Sequence, residues 1–302
     1  MYDIVIIGAG PAGLTAAIYA RRAAKTVLVL EAKACGGQII NTPDIENYPV
    51  EAHISGFDFA TRLYEQAKAL GAEIKLEKAV KINDGPVEKT VVTESGEYMC
   101  RAVILATGSE SRKLGVENED ALVGRGISYC ATCDGNFYRK KTVAVVGGGN
   151  TALEDALYLS DIAEKVYLIH RRSEFRGESS TVEKLKEKNN VEFVLNSKVT
   201  KLNAQKRLES IEVTDNGGNV KTLYVSGLFV AVGRIPENMN FAEHIILDDA
   251  GYAVAGEDCR TKQPWLFVAG DNRKKNVRQL VTATADGAVA ATEAVKYVNE
   301  QK

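Results

Sequence analysis

Asp3-Ile4-Val5-Ile6-Ile7-Gly8-Ala9-Gly10-Pro11-Ala12-Gly13, followed by Leu14 to Arg22, decides the fold of this chain. The unbroken apolar run Ile4 to Ile7 predicts a strand buried on both faces, as in a parallel sheet. Gly8 makes the tight turn, Gly10 lets a backbone approach a pyrophosphate, and Gly13 lets the next helix pack against the strand. Pro11 and Ala12 open that helix, whose unpaired N–H groups can receive phosphate. A second strand, Thr26 to Glu31, completes a βαβ unit. Glu31 closes it roughly 20 residues past the last glycine, where an acid accepts hydrogen bonds from a ribose and repels a 2′-phosphate. The expectation is a site for FAD or NAD.

The same module returns later in the chain. Strand Thr142 to Val146 runs into Gly147-Gly148-Gly149-Asn150-Thr151-Ala152, then a helix to Ser160 and a strand Lys165 to His170. Ala152 replaces the third glycine, which the fingerprint permits. The end of the second strand is reversed in charge: His170-Arg171-Arg172, with Arg176 beyond. Guanidinium forks match phosphate geometry, so the second site is expected to hold NADP(H), with His170 positional or a minor contact. Two such modules predict an α/β chain of two Rossmann-like, three-layer domains.

Between the modules lies Cys130-Ala131-Thr132-Cys133-Asp134, two thiols one turn apart with an acid after the second. A dithiol beside a dinucleotide turn points to electron transfer between a nucleotide and a disulfide. Cys35, Cys100 and Cys259 are scattered and read as structural or incidental. The rest of the first domain supplies further candidates. Gly36-Gly37-Gln38 and Asn47 offer close backbone approach and amides. Ala106-Thr107-Gly108 and Gly270-Asp271 each end a buried strand. Arg278-Gln279 opens a long helix, Leu280 to Asn299, able to face a flavin ring oxygen. Arg273-Lys274-Lys275 reads as a solvated basic loop, and the polar stretch Lys113 to Gly126 as a boundary.

Composition limits the alternatives. The chain has 302 residues, 45% hydrophobic and 26% charged, with a formal net charge of −2. That argues against nucleic-acid or polybasic membrane binding. No apolar run approaches the ~20 residues of a membrane span. Met1-Tyr2-Asp3 leads straight into the first strand, so no leader is expected. Five cysteines do not make a disulfide framework, and a reducing cytoplasm fits.

Taken together, these motifs closely resemble the low-molecular-weight, bacterial type of thioredoxin reductase, over nearly the whole length. The resemblance implies an FAD domain in two segments (1–112 and 243–302), with an NADPH domain (113–242) carrying the dithiol inserted between them. It implies a cytoplasmic homodimer that passes electrons from NADPH through FAD and the Cys130–Cys133 disulfide to thioredoxin. It places Cys133 nearer the flavin and makes Asp134 the acid that protonates a leaving thiolate. A swing of the inserted domain about residues 111–115 and 240–244 is expected, since dithiol and NADPH must meet one flavin. Where the family usually has glycine after Glu46-Asn47-Tyr48-Pro49, this chain has Val50. One alternative is a same-fold flavoprotein reductase for ferredoxin, flavodoxin or a different thioredoxin-like protein. A flavoprotein partner of a peroxidase would carry an extra N-terminal dithiol domain, and a ferredoxin-fed relative would lack the arginines. A zinc site at Cys130 and Cys133 would need two more ligands that no second C-x-x-C or His pair supplies, so no metal is expected.

Overall fold

A computed structural model describes residues 1–42, 44–86 and 88–301. The chain divides into two compact units, residues 1–110 with 235–302, and residues 111–234. The second is inserted within the first.

In the first unit, β1 (Tyr2–Ile7) leads through the glycine turn to α1 (Pro11–Arg22) and β2 (Val27–Glu31). After α2 (Gly56–Ala69) come β3 (Glu73–Leu76), β4 (Ala79–Asp84), β5 (Lys89–Thr93), β6 (Glu97–Leu105) and the short β7 (Ser109–Ser111). The helices start where the chemistry says they should. Pro11 stands at the first position of α1, where its missing N–H costs nothing. Ser55 caps α2 by accepting the Asp58 N–H.

β6 does two jobs. Its second half pairs in parallel with β1, continuing the order β3-β2-β1-β6. Its first half pairs antiparallel with β5, which pairs with β4. β1 is covered on both sides, as the apolar run predicts. Ile4 and Ile6 join Leu14, Ala16, Ala290 and Ala294 in one cluster, and Val5 and Ile7 join Leu28, Ile82 and Trp265 in another.

The second unit begins with β8 (Ile127–Ser128) and the single turn α3 (Ala131–Asp134). Its βαβ unit is β9 (Thr142–Gly147), α4 (Asn150–Ser160) and β10 (Lys165–Ile169), followed by α5 (Ser179–Lys186) and β11 (Val191–Val194). A meander of β12 (Ser197–Ala204), β13 (Leu208–Asp215) and β14 (Val220–Tyr224) precedes β15 (Gly227–Ala231), and β16 (Arg234–Pro236) spans the return to the first unit. The parallel sheet has the order β11-β10-β9-β15-β8, and β12-β13-β14 form a separate antiparallel sheet. Three layers result: Val143 and Val145 of β9 pack with Leu153 and Ala156 of α4, while Ala144 and Val146 pack with Ile211 and Val213 of the meander.

The chain then re-enters the first unit. β17 (Leu266–Val268) adds to the free side of β6, and α6 (Leu280–Glu300) packs along α1. That contact is very close: a Cβ on Gly287 would lie 2.2 Å from the Ala12 carbonyl oxygen.

One sequence reading is corrected by the fold. Arg273 and Lys275 do not form a solvated loop. Arg273 is buried and pairs bidentately with Asp286 of α6, which also binds Lys275 at 3.0 Å. The reason is a lone acid, Asp286, inside an Ala- and Gly-rich helix face: once buried it must be paired. The polar stretch 113–126 lies at the start of the second unit, which begins at Ser111, and it is tied down. Glu119 is buried within it and accepts hydrogen bonds from the Leu114 and Gly115 N–H groups and the Tyr129 hydroxyl, while Leu122 joins the core.

Candidate functional site

The first glycine turn is held by sterics. Gly8 has φ +109°, and a Cβ there would lie 2.3 Å from the Ala106 carbonyl oxygen. Glu31, at the end of β2, folds back onto this turn. Its two carboxylate oxygens accept the Ala9 and Lys33 N–H groups at 2.7 and 2.8 Å. Gly36 N–H donates to the Ala9 carbonyl, and a Cβ on Gly37 would come within 3.2 Å of Gly10 Cα. Gly10 and Gly37 thus face each other backbone to backbone, a cradle with no side chain in it. That is the surface a diphosphate needs.

The C-terminal candidates close on the same turn. A Cβ on Gly270 would meet the Ala12 methyl at 2.9 Å, and the Gly270 N–H donates to Asp286. Asn272 is fully buried and ties the Asp271 turn to the end of β6, donating to the Leu105 carbonyl and the Thr107 hydroxyl, each at 3.1 Å. Gly108 continues this loop and accepts the Glu237 N–H. Gln38 donates to the Ser109 carbonyl. Asn47 donates to the side chain of Gln279, which caps α6 in a reciprocal pair with Thr282. The Arg278 guanidinium lies 3.9 Å over the Tyr252 ring, and its Nε is buried without a hydrogen-bond partner. A buried orphan donor of this kind is suited to an anionic group.

In the second unit the turn repeats this steric logic. A Cβ on Gly147 would lie 2.3 Å from the Ala231 carbonyl oxygen, while Gly149 faces open space. Ala152 is buried and Thr151 exposed. The arginine loop is stitched onto the turn: Arg176 N–H donates to the Gly148 carbonyl at 2.7 Å, and Glu178 N–H to Asn150 Oδ1 at 2.8 Å. Arg171, Arg172 and Arg176 remain exposed. His170 is 4% exposed, stacks on Phe175 and packs where a Gly148 side chain would go. Burial, and then the neighbouring arginines, push its pKa down. Its place under the turn favours the neutral ring.

Cys130 and Cys133 form a disulfide, with Cα atoms 5.3 Å apart. Asp134 directly follows. Burial raises its pKa, and a 2.6 Å hydrogen bond from the Ser128 hydroxyl to Oδ2 opposes that rise. Burial pushes the Cys100 and Cys259 thiols up to about 12 and raises that of half-buried Cys35.

Residues 2–287 match the family described as pyridine nucleotide-disulphide oxidoreductase. The chain belongs to this family. It is 42% identical over 304 residues to the thioredoxin reductase of Listeria monocytogenes, covering 100% of this chain and 95% of that one. It is 39% identical to the thioredoxin reductase of Bacillus subtilis, with 99% and 96% covered. Among solved structures, the thioredoxin reductase of Streptococcus pyogenes superposes with a TM-score of 0.94 at 38% identity, with 99% of each chain covered. That of Lactococcus lactis, in its FR conformation, gives 0.70 at 37% identity, with 99% of this chain and 100% of that one covered.

Within this family framework several supporting residues escaped the sequence reading. Asn272, Asp286, Ser128 and Glu119 stand outside the motifs, and three of them hold motif residues in place: Asn272 binds Thr107, Asp286 the Gly270 N–H, and Ser128 both Cys130 and Asp134. Only Asp286 carried a signal, an isolated acid in an alanine-rich helix. His244 is buried, with Nε2 3.0 Å from the Ile82 carbonyl and its ring edge-on to Trp265. Val50 follows Pro49 in a tight turn closed by Glu51 N–H to the Tyr48 carbonyl, and has φ +79° with its side chain fully exposed. That position of a type II turn demands a positive φ, which glycine adopts without strain and a β-branched residue does not. Nearby, Asp44, Glu46 and His53 bring three possible ligand atoms within 4.8 Å of one another on a mostly exposed loop. Among the described residues no helix is long and apolar enough to cross a membrane.

Proposed function

We propose that this chain reduces the disulfide of thioredoxin with NADPH, through FAD held by the first unit and the Cys130–Cys133 pair of the second. The observation that carries the reading is the C-x-x-C disulfide, with an acid directly after it, in a chain with two glycine turns of opposite charge. Glu31 suits the first turn to the ribose of FAD, and Arg171, Arg172 and Arg176 suit the second to the 2′-phosphate of NADPH. Gly10, Gly37, Gly270, Asp271 and Arg278 would hold the FAD diphosphate and ribityl chain, with Asn47 and Gln279 near the ring.

Bound FAD supplies a two-electron relay between nicotinamide and disulfide. The chain's own contribution is proton and sulfur chemistry. Once the disulfide opens, Asp134 can protonate a leaving thiolate because burial favours its neutral form. The remaining thiolate attacks the partner disulfide, and thiol–disulfide exchange releases the reduced partner. The similarity of this chain to thioredoxin reductases supports thioredoxin over ferredoxin or flavodoxin, which would not need the dithiol. The resemblance further implies a homodimer in a reducing cytoplasm, and sedimentation velocity tests the first part.

The deciding experiment is an anaerobic titration of the purified protein with NADPH, followed by flavin absorbance, then addition of oxidised thioredoxin. Bleaching by NADPH at far lower concentration than NADH, and recovery of colour with thioredoxin, is the expected result. A colourless protein that takes up no FAD, or a reduced protein that thioredoxin leaves unchanged, would overturn the proposal.

A further inference from the structure

Ser128 has no place in the chemistry as read so far, yet its environment is specific. It ends β8, two residues before the disulfide, and is 3% exposed. Its Oγ accepts the Cys130 N–H at 3.1 Å. The same oxygen lies 2.6 Å from Asp134 Oδ2 and 3.2 Å from the Cys130 carbonyl. A hydroxyl has one proton. The shorter contact, to the acceptor that carries charge when ionised, takes it. A continuous path therefore runs from the amide of one cysteine, through the hydroxyl, to the acid that follows the other cysteine. Oδ2 is thereby committed as an acceptor. Oδ1 is buried and makes no hydrogen bond, so it is the oxygen left to carry a proton.

The surroundings contain few other ionisable groups. Tyr138, in the turn after α3, feels the charges of Asp134 and Arg207. Tyr158 and Leu159 of α4, and Ile162 just beyond its end, lie against Gly135. β8 contributes Ser128 itself.

We propose that Ser128 is a positioning residue for the redox step: it holds Oδ2 of Asp134, leaves Oδ1 as the proton donor, and keeps the acid in register with the disulfide through the Cys130 amide. This rests on the reading of Cys130 and Cys133 as the redox pair. As the disulfide takes up two electrons from the pyridine nucleotide, the S–S bond breaks and one sulfur leaves as a thiolate. Asp134 Oδ1–H gives that sulfur its proton and becomes a carboxylate, which keeps the Ser128 hydrogen bond. When the dithiol passes two electrons to a partner disulfide, the proton returns.

The test uses the holoenzyme and dithiothreitol, which opens the disulfide without the nucleotide. The opening rate, normalised to dithiothreitol thiolate, is followed against pH by alkylation and mass. Wild type should show an inflection that Asp134→Asn abolishes. Ser128→Ala removes the donor to the carboxylate, so proton affinity should rise about tenfold and the inflection move up by about one pH unit. Ser128→Thr, which keeps the hydroxyl, should hold the wild-type inflection. In the Asp134→Asn background, Ser128→Ala should change nothing further. An unmoved inflection in Ser128→Ala, a displaced one in Ser128→Thr, or equal effects of Ser128→Ala in both backgrounds overturns the proposal. Failure of NADPH to open the disulfide of the wild-type holoenzyme would instead sink the underlying function.

Discussion

The two glycine turns of this protein share one steric design and differ in how they are finished. In each, the first glycine sits where a Cβ would come 2.3 Å from a carbonyl oxygen, of Ala106 in one and Ala231 in the other. In each, the turn feeds a helix that a phosphate can face. The first turn is then closed by Glu31 and by a segment more than 200 residues away, Gly270 to Gly287. The second is closed by its own neighbours, His170 and residues 176–178. Backbone sterics shape the two turns alike, and they differ in the charge at the end of the next strand, Glu31 in one and Arg171-Arg172 in the other.

The largest effects should break the shared design. Gly8→Ala forces a side chain into the Ala106 carbonyl at φ +109°, and about 3 kcal/mol or more should be lost, with loss of bound flavin. Gly149→Ala, with nothing within 4 Å of its Cβ, should change stability by less than about 0.5 kcal/mol. Equal shifts in thermal midpoint for the two variants would refute the steric account.

The finishing charges come next. Replacing Arg171, Arg172 and Arg176 together by Ala should raise the KM for NADPH about a hundredfold or more and leave that for NADH nearly unchanged. Glu31→Ala should instead weaken FAD retention about tenfold without altering the NADPH/NADH ratio. Steady-state kinetics with both nucleotides, and flavin release on dilution, separate the two. A loss of NADPH preference in Glu31→Ala would contradict the assignment.

A pH effect is expected from α4, the helix that follows the second turn. Burial, and then Glu154, push Asp155 of α4 up to about 7, against the pull of Arg234. Unfolded, an Asp titrates near 4. The stability contributed by its protonated form is fully present below about pH 4 and is lost as pH rises through about 7. Asp155→Asn should therefore stabilise the second unit at pH 8 by roughly 1 kcal/mol and flatten its stability between those values. Urea unfolding at several pH values measures this, and an unchanged slope in the variant would count against it.

The smallest effect lies in the first unit. Val50→Gly should stabilise it by about 1 kcal/mol or less. It removes the strain of a β-branched residue at φ +79° but adds entropy to the unfolded chain. A lower melting temperature would show that the exposed valine is not strained.

Much of this was legible early because the signals are local. A run of apolar residues ending in Gly8-x-Gly10-x-x-Gly13 can only be a strand, turn and helix, and the repeat at Gly147 needs no third dimension to be noticed. Charge at Glu31 and at Arg171-Arg172 is likewise written in the chain. What stayed hidden were partners remote in sequence. Arg273 looks solvated until Asp286 is seen 2.9 Å away. Glu119 looks like one more surface acid until three donors converge on it.

The sequence by itself therefore determined the repeated dinucleotide module, the opposite charges that finish its two copies, and the dithiol between them, because each depends on neighbours a few residues apart. Only the tertiary structure decided which polar groups are buried and who satisfies them: Asn272 between two strand ends, Asp286 under Gly270, Ser128 beneath Asp134. A desolvated polar group must find a partner wherever the fold brings one, and that is fixed by packing, not by spacing along the chain.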